Sequence, residues 1–204
     1  MIYSWYKKTF FNNKILKRSN KVKIYSYIST TILETLTMPE KRNKIMDAND
    51  IHKTVKRIAY QIYETHFEDS KLIVAGIADN GVIVAKRICE ELKKISKIKP
   101  IFVEIKVDKK NPINPIVLSE KLEVCENNSV VVVDDVLNTG STLIYAVTHF
   151  LSIELKKLQT AVLVNRNHKN FPIKGDFKGI SLSTSIKEHI DVDFGVNEGV
   201  YLSE

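Results

Sequence analysis

Two adjacent carboxylates, Asp134 and Asp135, close a run of four valines, and Asn138-Thr139-Gly140-Ser141-Thr142 follows almost at once. A continuous apolar run of this kind suits a strand buried on both faces of a parallel sheet. The acids then emerge at the strand's carboxyl end, where open α/β sheets place their ligands. The small residues that follow lead into a helix. They offer backbone N–H groups, the hydroxyls of Thr139, Ser141 and Thr142, and the positive end of the helix dipole, which together make a phosphate cradle. Two carboxylates cannot usefully face the same phosphate. They are better suited to accept hydrogen bonds from sugar hydroxyls or to help hold a divalent cation. A ligand with a phosphate at one end and vicinal hydroxyls at the other is a ribose phosphate. Neither a Walker A loop nor a Rossmann glycine fingerprint is present. From average composition, Asp-Asp-x-x-x-Thr-Gly-x-Thr after four apolar residues should arise by chance in fewer than about one chain in a thousand.

The hydrophobic pattern supplies the elements that must position these groups. Asn49 or Asp50 can cap a helix running to His66, with Ile51, Val55, Ile58, Ala59 and Ile62 at helical spacing. Lys71 to Gly76 reads as a buried strand, and Ala78-Asp79-Asn80-Gly81 as a turn. A helix follows from Val82 to Lys97, then a strand from Ile101 to Val107. Asp108 to Leu122 holds two prolines and no period, which predicts a long loop. Ser129 to Asp134 is the strand of the motif, Ser141 to Leu155 a helix and Leu158 to Asn165 a further strand. This alternation predicts an α/β fold: a parallel sheet with right-handed crossovers, flanked by helices. Beyond Asn165 the short β-like pieces Gly179 to Leu182, His189 to Phe194 and Gly199 to Leu202 suggest a small cap or edge assembly.

The 204 residues carry 31 basic and 24 acidic side chains, a net charge of +7. Seven of the bases and one acid lie in residues 1–39, which leaves 24 against 23 for the rest. The body is therefore nearly neutral, and no protein-wide field for nucleic acid is indicated. Residues 1–39 mix Lys, Asn, Ser and Thr with scattered aromatics and show no period, so they are expected to be a basic, poorly ordered extension of a domain spanning 40–204. A basic aromatic arm for nucleic acid or an anionic membrane surface is the other reading of that segment. Two cysteines, Cys89 and Cys125, are too few for a disulfide scaffold or a cysteine-built zinc site. With no apolar run of bilayer length and no signal-peptide pattern, a cytoplasmic protein without a membrane partner is expected. His52, His66, His149 and His189 show no spacing for metal or triad chemistry.

The segment from Val130 to Thr142 resembles the signature of type I phosphoribosyltransferases, which bind phosphoribosyl pyrophosphate (PRPP). Within that family the resemblance is to the bifunctional pyrimidine-operon attenuators and uracil phosphoribosyltransferases, the PyrR-like proteins. It is carried also by Arg57-Ile58-Ala59-Tyr60, by Gly76-Ile77, Gly81 and Ala85-Lys86-Arg87, by Ala161 to His168 with Pro172-Ile173, and by Asp176-Phe177, Gly179 and Thr184-Ser185. It spans roughly Asn43 to Val200. The resemblance implies the type I phosphoribosyltransferase fold with a small β-rich hood enclosing the base, Mg²⁺ as cofactor, and a homo-oligomer. Asp134 and Asp135 would then contact the ribose hydroxyls and the metal, and Asn138, Thr139, Gly140, Ser141 and Thr142 would bind the ribose phosphate. Asp79, Asn80 and Gly81 would form the pyrophosphate loop, with Asp108 to Leu122 as the lid. The implied reaction transfers the phosphoribosyl group from PRPP to a nitrogenous base such as uracil and releases pyrophosphate, with Asp134, Asp135 and Lys109 as catalytic groups. Base-binding residues are not assigned.

Three positions depart from the family pattern. Asn80 stands for a basic residue, Lys109 for an arginine and Asn165 for an aspartate. Because the leaving pyrophosphate gains charge in the transition state, Asn80→Arg with Lys109→Arg is expected to raise kcat by up to about tenfold. The same departures support an alternative: a PRPP- or nucleotide-sensing regulator of pyrimidine genes that binds RNA and turns over little. Lys56, Arg57, His168 and Lys169 align with segments that contribute to RNA binding in the family, although Tyr60 replaces a family histidine and the body is almost neutral.

Overall fold

The computed structural model of the chain describes residues 42–185 and 188–203. Residues 1–39, read above as an extension, lie outside them. Strand β1 (Asn43–Asp47) leads directly into helix α1 (Ala48–His66). Asp47 caps the helix: its Oδ1 accepts from the Asp50 amide at 2.8 Å, while the Asp50 carboxylate accepts from the Asp47 amide at 3.2 Å. The cap is thus Asp47, and Asn49 and Asp50 lie one turn inside; two acids make the reciprocal arrangement usually built from Ser or Thr with Glu. Ile51, Val55, Ile58, Ala59 and Ile62 are buried as the spacing predicts.

After α1 come β2 (Lys71–Ile77), α2 (Asn80–Ile95), β3 (Lys99–Lys106), a two-residue β4 (Val117–Leu118), a 3-10 turn at Leu122–Cys125, and β5 (Ser129–Leu137). Then follow α3 (Ser141–Phe150), β6 (Lys157–Arg166), β7 (Phe177–Leu182), β8 (His189–Asp193) and β9 (Gly199–Ser203). Six strands form one sheet in the order β4-β3-β2-β5-β6-β7. All neighbours pair in parallel except β3 with β4. Val130 to Val133 of β5 are fully buried because the strand lies between β2 and β6 with apolar layers on both faces. Val131 and Val133 face the layer of α1 and α2; Val130 and Val132 face the layer containing Leu143, Ala146 and Phe150 of α3.

The late β pieces part company. The strand at Phe177–Leu182 joins the main sheet in parallel beside β6, while β8 and β9 form a separate antiparallel sheet with β1, in the order β1-β9-β8. This second sheet is the hood. Helix α3 ends at Phe150, five residues before its predicted end, because the Leu151 amide turns back to the Thr148 carbonyl at 3.1 Å. The loop 108–122 is also less irregular than expected. Asp108 accepts from the amides of Lys110 and Asn111 at 2.9 and 3.1 Å and from the Asn114 side chain at 2.9 Å. These contacts, led by the Asn111 amide, hold its carboxyl below the usual range. No described helix is long and apolar enough to cross a membrane.

Candidate active site

The carboxyl end of β5 opens into a cleft of about 170 Å³ whose wall includes Lys109, Asp134, Asp135, Asn138 to Thr142, and Ile190 to Val192 of the hood. The acids and the small-residue loop therefore share one site, as their spacing predicts, and Lys109, singled out only through the resemblance, lies in the same wall. The hood strand β8, one of the short β pieces read from the sequence as a cap, is its other wall. Asp134 is 6% exposed, and its Oδ1 accepts from the Asp135 amide at 3.0 Å. Burial, with the adjacent Asp135 charge, pushes the Asp134 carboxyl well above the usual carboxylate range; Lys109 pulls in the opposite direction. Asp135 is held at both oxygens. Its Oδ1 accepts from the Val136 amide at 2.9 Å and its Oδ2 from Asn80 Nδ2 at 2.9 Å.

Gly140 makes the loop possible. It has a φ of +84°, the left-handed region, and stands at the N-terminus of α3. A Cβ there would lie 2.6 Å from Ile173 Cγ2. Thr139 is pinned from outside, its carbonyl accepting from the amides of Asn170 and Phe171 at 2.9 and 3.1 Å. The loop's amides and hydroxyls can thus face an anion while its outer side is held by the 170–173 segment.

The pyrophosphate loop of the sequence reading meets the same site from the side. The Ala78–Asp79 peptide is cis. Gly81 packs directly on β5, where a Cβ would fall 2.8 Å from the Val133 carbonyl oxygen and 3.1 Å from Asp134 Cα. Asp79 is exposed, and its Oδ2 lies 3.9 Å from Lys109 Nζ of the lid. Asn80 does not point toward that pair. Its amide is spent on Asp135 and on the Val192 carbonyl, so the expectation that a basic residue at 80 would face the leaving group does not follow from the observed direction of the side chain.

The sequence assigns no role to Arg166. It ends β6 almost buried, and it donates to Thr184 Oγ1 at 2.7 Å, the Ser185 carbonyl at 3.0 Å and Asn138 Oδ1 at 3.3 Å. A charged residue closing an apolar strand was the available signal. Asn165 is buried beside it; its Nδ2 donates to Ser181 Oγ at 3.2 Å, and its Oδ1 has no partner among the described residues. The residues considered for RNA stand away from the cleft. Arg57 donates to the carbonyls of Lys178 and Gly179, tying α1 to β7. His168 Nε2 meets the Thr184 carbonyl, while Lys56 and Lys169 are exposed. Cys89 is buried, which pushes its thiol up to about 12, so it is inert rather than activated. His66, unmarked by spacing, does have a carboxylate partner: its Nδ1 lies 2.8 Å from Asp69 Oδ2 at the opposite end of the sheet.

No described cluster of three or more His, Cys, Asp or Glu side chains could hold a metal unaided. Two adjacent carboxylates suit a hard divalent cation that takes its remaining ligands from water and from ligand oxygens.

Comparison with known proteins agrees with this geometry. The family described as the phosphoribosyl transferase domain matches residues 42–198. The bifunctional protein PyrR of Caldicellulosiruptor bescii is 35% identical over 164 residues, covering 76% of this chain and 90% of the relative. That of Streptococcus agalactiae is 30% identical over 169 residues, covering 78% and 94%. Among solved structures, the hypoxanthine phosphoribosyltransferase of Trypanosoma cruzi superposes with a TM-score of 0.66 at 15% identity, covering 79% of this chain and 96% of that one. A hypoxanthine-guanine phosphoribosyltransferase from Bacillus anthracis gives 0.63 at 19% identity, covering 79% and 95%. At such identities the two structures show the fold alone. The chain belongs to the phosphoribosyltransferase family, on the PyrR-like side of it.

Proposed function

We propose that this phosphoribosyltransferase binds PRPP and transfers its phosphoribosyl group to uracil, releasing pyrophosphate. The observation that carries the reading is the shared cleft. The two acids ending β5 and the Asn138–Thr142 loop entering α3 open onto one space sized for a small phosphorylated sugar. Asp134 and Asp135 accept the ribose hydroxyls, and the loop's amides with the hydroxyls of Thr139, Ser141 and Thr142 bind the phosphate at the α3 N-terminus. Hydroxyl donors also favour an ionised Asp134, offsetting the effect of its burial. Asp134 and Asp135 would hold Mg²⁺ together with ligand oxygens, and the ion would neutralise charge on the leaving pyrophosphate. Lys109 reaches the cleft from the lid and supplies positive charge on that side. The lid excludes water that would otherwise hydrolyse PRPP. Chemistry is thus positional and electrostatic, with no covalent nucleophile.

Uracil is chosen because the resemblance is to the PyrR-like proteins. The solved structures of similar fold are hypoxanthine enzymes, so the deciding experiment is a turnover assay with PRPP, Mg²⁺ and a panel containing uracil, cytosine, hypoxanthine and guanine. Uracil should be the substrate with the highest kcat/KM. A purine in that place would overturn the base assignment, and no turnover with any base would overturn the reaction. In the last case the nucleotide-sensing reading takes over, favoured by a neutral Asn80 whose amide is committed to the protein itself.

A further inference from the structure

Asn80 opens α2, and one side-chain nitrogen makes two hydrogen bonds there. Nδ2 donates to Asp135 Oδ2 at 2.9 Å and to the main-chain carbonyl of Val192 at 2.8 Å. An amide NH₂ carries two protons, so both bonds form at once. The first acceptor is an acid of the cleft. The second lies in β8, a hood strand that also lines the cleft. Among the described residues, the Asn80 contact is the one side-chain hydrogen bond between a hood strand and the loops and acids of the cleft. The opposite Asp135 oxygen is fixed by the Val136 amide. Each carboxylate oxygen keeps a lone pair for a ligand hydroxyl, and the group's orientation is set before the ligand arrives.

We propose that Asn80 is a positioning residue that latches the hood to Asp135, so that enclosure of the base and the aim of the ribose acid form one coupled state. The proposal rests on the reading of the cleft as a PRPP site. Residue chemistry at 80 favours Asn for this task. Asp has nearly the same shape but offers no proton to either acceptor, and its charge would oppose Asp135. Ala removes both bonds. Gln keeps the amide on a stem one methylene longer. Arg and Lys keep donors, but their length would force β8 away from β5 or drive the side chain out of the gap.

The test uses the full chain and two ligands. Ribose 5-phosphate reaches the acids and the phosphate loop, whereas uridine 5'-monophosphate also presents a base to the hood. In Asn80→Ala, calorimetry should show affinity for uridine 5'-monophosphate falling about tenfold and that for ribose 5-phosphate about threefold, as expected for one or two lost hydrogen bonds. Asn80→Asp should lose more than Asn80→Ala, and Asn80→Gln should recover part of the loss. Amide exchange in Ile190–Asp193 should quicken in the Ala and Asp variants, while β2 and β5 stay protected and so certify the fold. Wild-type behaviour of Asn80→Asp, or unchanged exchange in β8 of the Ala and Asp variants, overturns the latch. If wild type binds neither ligand, the reading of the cleft fails, and the exchange measurement still decides whether Asn80 holds the hood.

Discussion

At the scale of single residues, the site depends on where hydrogen-bonding capacity is already committed. Asp134 and Asp135 each have one bond from a neighbouring amide and lone pairs left for a ligand. In an Asp134→Asn, Asp135→Asn double variant, each ribose hydroxyl bond left unmade should cost about 1–3 kcal/mol. PRPP affinity measured by calorimetry should then fall by at least about thirtyfold, and an unchanged affinity would remove the ribose assignment. Two of the three departures from the family pattern, Lys109 and Asn80, now separate. Lys109 lies at the cleft mouth, half exposed and 3.9 Å from Asp79, so Lys109→Arg can offer a planar fork to the leaving group and should raise kcat by a few-fold, within the roughly tenfold that 1.4 kcal/mol allows. Asn80→Arg should lower kcat/KM instead, because it exchanges two short bonds for a charge the gap does not accommodate. Steady-state kinetics on the two single variants distinguish these directions. The sequence revealed that position 80 was unusual; it could not reveal that the amide was turned inward, since Val192 is more than a hundred residues away.

At the scale of elements, legibility followed local pattern. The α1 face, the β5 valines and the run into α3 were readable because burial imposes a period, and because a small-residue turn before a helix has its own chemistry. The hood was legible in part: β8 and β9, a hairpin of neighbouring segments, match the cap pieces read at His189 to Phe194 and Gly199 to Leu202, whereas β1 carries no local signal because its five residues pair with β9 at the far end of the described chain. The piece Gly179 to Leu182 reads as part of the cap but belongs to β7 of the main sheet, because a short strand does not announce which sheet it joins. Gly140 is the clearest case of a locally determined element. Gly140→Ala meets both the left-handed φ and the Ile173 methyl at 2.6 Å, so it should destabilise the protein by about 1–2 kcal/mol or more. Denaturant titration reads that cost. Phosphate-bearing ligands should weaken in parallel, and full stability with full binding would show that the loop has another conformation to use.

The opposite end of the sheet gives the element scale a pH dependence. Burial of Asp69 alone would raise its carboxyl, but hydrogen bonds led by that from Lys156, with His66 on the other oxygen, bring it down to about 2 from 3.8. A carboxyl lowered on folding stabilises the folded state above its ordinary value, and the contribution is lost as pH falls from about 4 to about 2. The shift corresponds to about 2 kcal/mol. Asp69→Asn should therefore be less stable than wild type by roughly that amount at pH 7. The gap between the two should close as the pH is lowered toward 2 in urea titrations. A gap that stays constant with pH would assign the loss to packing rather than to charge.

At the scale of the whole molecule, the site is an assembly of parts distant in sequence: β5 and the α3 N-terminus from the main sheet, Lys109 from the lid, and Ile190 to Val192 from the hood. A ligand that bridges several of them binds the folded arrangement and has nothing comparable to bind in the unfolded chain. PRPP with Mg²⁺ at a hundred times its dissociation constant should therefore add about 2.7 kcal/mol to stability. For a unit of this size each kcal/mol moves the midpoint by roughly 2–4 °C, so Tm should rise by about 5–10 °C. The variants divide this shift according to what each part contributes. At the same ligand concentration, Asp134→Asn with Asp135→Asn should lose about two thirds of it or more, because the ribose acids are gone. Asn80→Ala should keep most of the shift with PRPP, which carries no base, and lose more of it with uridine 5'-monophosphate, which needs the hood in place. Thermal melts of three proteins with two ligands measure this directly. An equal loss for both ligands in Asn80→Ala would mean that Asn80 acts on Asp135 alone and does not hold the hood in place.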